Sequence, residues 1–120
     1  MVTNRIYDVQ VEDVYSGDDM VMLADLGVDG LYKRVRARLS GVDTPNAYRA
    51  KNDTEAGNVR DEVKKLIASG KCTAQVIAQR RGGWVVVLKV ALADGTVVNI
   101  NESLISRGYV YRGGKSEDAS

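Results

Sequence analysis

The segment Arg38-Leu-Ser-Gly-Val-Asp-Thr-Pro-Asn46 gathers residue types that handle phosphate or a hard cation. The planar guanidinium of Arg38 can grip phosphate oxygens through two hydrogen bonds. The carboxylate of Asp43 suits Ca²⁺ or Mg²⁺, which take oxygen ligands. The chain has no His. That removes imidazole as a base or metal ligand, and with it Ser-His-Asp chemistry and the common zinc sites. Cys72 is the single cysteine, so no internal disulfide forms. A small core hydrophobe is the expected role for it.

Charge is distributed unevenly around this segment. Residues 5–30 carry Asp8, Glu12, Asp13, Asp18, Asp19, Asp25 and Asp29 against Arg5 alone. Residues 31–51 carry Lys33, Arg34, Arg36, Arg38, Arg49 and Lys51 against Asp43 alone. An acidic stretch beside a basic one is either a pair of charged strands in one sheet or a functional surface, and the sequence leaves both open. The net charge of +1 implies no general affinity for nucleic acid.

The elements that must position these groups follow from periodicity. Ile6 to Val14 reads as a strand, Ser16-Gly17-Asp18-Asp19 as a turn, and Met20 to Leu26 as the returning strand. Gly27-Val28-Asp29-Gly30 makes a second turn. From Leu31 to Leu39 the chain alternates: Leu31, Val35, Ala37 and Leu39 on one face, Tyr32, Arg34, Arg36 and Arg38 on the other, the pattern of a half-buried strand. Pro45 opens a polar loop. Asn52 to Ser69 reads as a helix with an apolar stripe of Val59, Val63, Leu66 and Ile67, capping-box spacing at Asn52 and Glu55, and a C′ stop at Gly70.

Thr73 to Ala78 and Trp84 to Leu92 read as strands around the turn Arg80-Arg81-Gly82-Gly83. Val97 to Ile100 follows a hairpin-like turn at Ala93-Asp94-Gly95-Thr96, and Asn101 to Arg107 is a short helix stopped by Gly108. The expected fold is mainly β with two helices (α+β). Its order, β-β-β-α-β-β-α, matches the OB-fold, a five-stranded Greek-key barrel. Residues 1–111 form one domain, and 112–120 read as a polar, disordered tail.

Four strings in this order resemble the staphylococcal (thermonuclease-like) nuclease family: Ser16-Gly17-Asp18-Asp19; Arg38-Leu39-Ser40-Gly41-Val42-Asp43-Thr44-Pro45; Ala93-Asp94-Gly95 with Val98-Asn99-Ile100-Asn101-Glu102; and Leu104-Ile105-Ser106-Arg107-Gly108-Tyr109. The resemblance spans about residues 9–111. It implies a barrel of that nuclease type and Ca²⁺-dependent phosphodiester hydrolysis of DNA or RNA. By this resemblance Asp18 and Asp43 are the carboxylate ligands of Ca²⁺, Thr44 adds a backbone oxygen, and Arg38 clamps the scissile phosphate.

The departures are specific. The family's catalytic Glu follows the Pro, and here that position is Asn46, whose amide takes no proton from water. The second family arginine falls at Gly83 or Trp84, with Arg80 or Arg81 close by in the turn. Losing a general base typically removes about 10²–10⁴ in rate.

Each residue also has a plainer role. Asp18 and Asp19 serve equally as turn residues, Asp43-Thr44-Pro45 as a loop entry, and Arg34, Arg36 and Arg38 as a solvated row. Trp84 fits a core position better than a base-stacking platform. Tyr109 and Tyr111 sit where the family has substrate-side tyrosines, or simply pack. Glu55 either caps the helix or stands in for the missing base. Arg34, Arg36, Arg81, Tyr109 and Tyr111 are the expected nucleic-acid contacts.

Two functions follow as expectations. One is a nuclease-like, nucleic-acid-binding protein with weakened cation-dependent hydrolysis. The other is a non-catalytic OB-fold module for nucleic acid or a protein partner. The longest apolar run, Trp84 to Leu88, is far below the ~20 residues that span a bilayer. No signal-peptide pattern precedes Ile6, and the lone thiol points to a reducing cytoplasm.

Overall fold

The computed structural model describes residues 5–45 and 54–111. Its elements are β1 (Ile6–Ser16), β2 (Asp19–Asp25), β3 (Tyr32–Leu39), α1 (Glu55–Ala68), β4 (Gly70–Arg80), β5 (Gly83–Leu92), β6 (Val97–Asn99) and α2 (Ile100–Ser106). The sheet order is β3-β2-β1-β4-β5-β6, and an additional parallel pairing of β3 with β5 closes the first five strands into a barrel. The fold is OB-like, an α+β barrel with a sixth strand and two helices.

The barrel has the expected five strands, and a short sixth strand lies outside the closure. Val97–Asn99 pairs with Lys89–Ala91 on the outer edge of β5, and Ile100 opens α2 instead of ending a strand. The stretch is only three residues long, so its periodicity is too short to be read as a barrel member.

β3 follows its alternation: Val35, Ala37 and Leu39 are buried while the arginines are exposed. Leu31 departs from it. It precedes the strand, closes the β2–β3 turn through its backbone, and is half exposed. The core is built from Met20, Met22, Leu39, Val42, Val59, Val63, Leu88 and Ile100, all essentially inaccessible to solvent, with Leu66 and Ile67 packed against it. Cys72 belongs to this core, where burial pushes its thiol up from the ordinary value. Trp84 is also buried, its ring stacked on Tyr7 at 5.3 Å between centroids.

The helix ends differ from the expectation. Thr54 is the N-cap, accepting from Gly57 N–H at 3.1 Å, and Asn52 lies outside the described residues. Gly70 is not a left-handed stop, because Ser69 caps α1 and Gly70 already begins β4. Glycine is needed there for room: a Cβ would sit 2.1 Å from the Ala91 carbonyl oxygen across the β4–β5 ladder.

Candidate functional site

The β1–β2 turn consists of Gly17 and Asp18, and Asp19 already belongs to β2. The end of β3 is fastened to this turn, because Leu39 N–H donates to the Asp18 carbonyl at 2.9 Å. Gly17 fits under α1: a Cβ there would lie 2.7 Å from Val59 Cγ1 and 3.0 Å from Thr44 Cγ2. Helix, turn and post-β3 loop are thus packed to contact at one point.

Asp18 sits at that point and is 3% exposed. Its Oδ1 accepts the Thr44 hydroxyl at 3.0 Å, and its Oδ2 accepts Arg38 Nη2 at 3.1 Å. Burial raises the Asp18 carboxyl above the ordinary carboxylate value, against the pull of the Thr44 hydroxyl and the Arg38 guanidinium. A buried carboxylate is tolerated only when hydrogen-bonded and paired. The Arg38 side chain remains half exposed.

The loop after β3 is held from the other side by the C-terminal segment. Asp43 N–H donates to the Tyr109 carbonyl at 3.1 Å, Tyr111 N–H donates to the Gly41 carbonyl at 3.0 Å, and Val42 bridges Val110. Gly41 takes φ of 74°, a conformation that suits a residue without Cβ. The Tyr109 hydroxyl donates to Glu55 Oε2 at 2.9 Å, and that bond with Glu55 raises the Tyr109 hydroxyl's pKa. Arg107 lies over the Tyr109 ring and pairs with Glu62 of α1. Glu55 therefore receives a tyrosine, a contact that its capping-box spacing did not foretell.

Asn101, from the third of the four strings, is a buried support of the site. Its buried amide accepts from Leu88 N–H at 2.9 Å and donates to the carbonyls of Ser40 and Val86, each at 3.0 Å. One side chain thus joins α2 to β5 and to the residue that follows β3. The available signal was an amide set between the apolar Ile100 and Leu104 of a short helix.

Of the sequence-derived site residues, Asp18, Arg38 and Thr44 come together. Asp43 lies on the same loop with an exposed side chain, and Asn46 lies outside the described residues. Arg34 and Arg36 join Arg38 on the outer face, but each is matched to an acid: Arg36 to Asp19 on the adjacent β2, and Arg34 across β2 to Glu12 on β1. Arg34 makes two bonds to Glu12 (2.6 and 3.1 Å) and Arg36 makes two to Asp19 (2.6 and 2.7 Å). Arg36 also covers the Tyr15 ring at 4.5 Å. Of the acidic stretch, β2 pairs directly with the basic β3, and β1 lies one strand further on in the same sheet. Arg81 is exposed in the β4–β5 turn, and Tyr111 is half-buried beside Gly41.

The described residues do not by themselves make a calcium cage. Both Asp18 oxygens are engaged within the protein, and no group of three or more His, Cys, Asp or Glu side chains among the described residues converges on a point. What the arrangement offers is a half-exposed guanidinium anchored on a buried carboxylate.

Compared with known proteins, the chain matches no protein-family model and no curated protein. No helix among the described residues is long and apolar enough to cross a membrane.

Proposed function

We propose that this chain is a nuclease-like, nucleic-acid-binding OB-type domain of staphylococcal-nuclease kind, in which Arg38 contacts a backbone phosphate and hydrolysis is weakened. The observation that carries this reading is the buried Asp18 gripping Arg38 and Thr44. A desolvated carboxylate joined to a guanidinium where three elements meet supports this reading. The resemblance of the Arg38–Pro45 and Ser16–Asp19 strings adds to it. Asn46 at the position of the family's general base, and Gly83 in the stretch where the second arginine is expected, support the weakening. A lone, unpaired cysteine supports a cytoplasmic location.

The test measures cleavage and binding together. Plasmid and single-stranded DNA or RNA are incubated with Ca²⁺ or Mg²⁺, with EDTA as control, and affinity is followed against salt. Binding that weakens with salt, and loses about one unit of log–log slope in Arg38→Ala, supports the phosphate contact. No binding to any nucleic acid at low salt would remove this reading.

A second reading is favoured by the Arg34–Glu12 and Arg36–Asp19 pairs. These pairs neutralise much of the basic strand and suit a non-catalytic interaction module better than a polyanion track.

A further inference from the structure

The chain carries two Asp-Gly pairs, Asp29-Gly30 between β2 and β3 and Asp94-Gly95 between β5 and β6. In sequence they are alike, and both are exposed. Both glycines take a left-handed φ, 75° and 92°, with open space where a Cβ would be. Their hydrogen bonds differ. Asp94 Oδ1 accepts the Thr96 N–H at 2.8 Å, and Gly95 N–H donates to the Leu92 carbonyl at 3.0 Å. The bond from Thr96 holds the Asp94 carboxyl below the ordinary carboxylate value. The other turn is closed by Leu31 N–H on the Val28 carbonyl at 2.8 Å and Leu26 N–H on the Leu31 carbonyl at 3.1 Å. Both bonds bypass the pair. Neither the Asp29 carboxyl nor the Gly30 N–H has a hydrogen-bond partner among the described residues.

We infer that Asp29-Gly30 is a site of spontaneous backbone modification, converting through a cyclic succinimide to an isoaspartyl link, while the fold keeps Asp94-Gly95 intact. The Gly30 amide nitrogen attacks Cγ of the neutral Asp29 carboxyl. A C–N bond forms, and the amide proton leaves with the carboxyl hydroxyl as water. Solvent water then adds to the ring carbonyl that was the Asp29 backbone carbonyl. The bond from that carbon to the Gly30 nitrogen breaks, and the chain now runs through Cγ beside a new α-carboxylate. No oxidant and no enzyme is needed, and the mass is unchanged. Glycine favours the step because no Cβ shields the attacking nitrogen.

At Asp94-Gly95 the same attack is opposed twice. The nitrogen must first give up Leu92, and the carboxyl must leave Thr96 and take a proton that the bond from Thr96 disfavours. The site reacts only after local opening. At Asp29-Gly30 no such bond has to break. The product lengthens the backbone of the β2–β3 turn by one atom, next to the Asp25–Tyr32 pair that opens the β2–β3 ladder. The inference does not rest on the nuclease-like reading, since Arg38 lies at the other end of β3.

The experiment ages the full chain in mildly acidic heavy-oxygen water, folded and in concentrated urea. Peptides are then mapped by mass with a protease that cuts before aspartate but not before isoaspartate. The chain has no Asn-Gly pair to add a competing signal. In the folded chain, heavy oxygen and isoaspartate should accumulate at residue 29 at least about tenfold faster than at residue 94, the scale of the two bonds that must break there. In urea the two sites should convert at similar rates. Asp29→Glu, a change in an exposed turn, should abolish the first signal, because its longer side chain closes a six-membered ring far more slowly. Equal rates at the two sites in the folded chain would overturn the proposal, as would a faster rate at residue 94 or no conversion at residue 29. A rate ratio unchanged by urea would do so too, because the sequence and not the fold would then set it. So would a signal that persists in Asp29→Glu.

Discussion

Thr44 donates its hydroxyl to Asp18 at 3.0 Å and so ties the loop after β3 to the turn before β2. The tie is made to a carboxyl whose charge is disfavoured by burial. A folded-state pKa above the unfolded value means that the fold holds this proton more tightly than the unfolded chain does. The group therefore favours folding below the unfolded value, and the contribution is lost as pH rises through the folded one. Asp18→Asn is neutral at every pH, and its amide can accept from Arg38 while donating to Thr44. Its stability relative to the parent should rise in paired urea melts as the pH increases above the unfolded carboxylate's value of about 3.9. A relative stability that falls over this range would contradict the assignment.

Cation binding should compete with Arg38. Asp18 gives one oxygen to Thr44 and the other to the guanidinium, so a divalent ion meets a positive charge already in place. Arg38→Ala should make the amides of residues 16–19 more responsive to millimolar Ca²⁺ than in the parent. An unchanged or weaker response would mean that Asp18 is not the cation's entry point. In a nuclease assay, Asn46→Glu should raise any residual rate, because it restores a proton acceptor next to Pro45.

Asn101→Ala should be among the most destabilising polar substitutions. It strands the Leu88 N–H and removes a donor from both the Ser40 and Val86 carbonyls. Leaving buried groups unsatisfied costs about 1–3 kcal/mol each, so denaturant titration should show a loss on the order of 3 kcal/mol. Asn101→Asp keeps the acceptor for Leu88 but faces two carbonyls with a carboxylate, and should not rescue.

Gly17→Ala should cost about 1–3 kcal/mol by overpacking against Val59 and Thr44. Val59→Ala makes room on the helix side, so the double variant should be more stable than the sum of the single losses implies. Coupling of about 0.5–3 kcal/mol in that cycle locates the clash, and strict additivity would place it elsewhere.

Much of the barrel was legible because β3 and α1 bury one face each. The alternation of Val35, Ala37 and Leu39, and the Val59–Val63 stripe, are local signals that survive into the core. The opposed charges were visible too: the Arg36–Asp19 pair requires only that β2 and β3 be neighbours, while the Arg34–Glu12 pair also requires β1 on the far side of β2. What stayed hidden depends on contacts between distant segments. Gly17 and Gly70 look like turn residues until Val59 and Ala91 are placed against them. Asn101 becomes a support only once β5 and Ser40 meet at its amide. Glu55 has capping-box spacing in the sequence, and only the return of Tyr109 from the far end of the chain gives its carboxylate a partner. Asn46 lies outside the described residues.

The parallel seam that shuts the barrel joins Arg36–Leu39 to Gly83–Val86, and β1 finds β4 only through Cys72–Gln75. A chain emerging from the ribosome can fold back β1 on β2 and β2 on β3 early, since those ladders are hairpins. It cannot shut the seam until β5 has been made, nor seat Ser40 on Asn101 until α2 has followed. The Arg38 site therefore comes into being late in synthesis. Until then Met20, Met22 and Leu39 face water on an open sheet, which makes the half-made chain, and not the finished one, the form most exposed to aggregation.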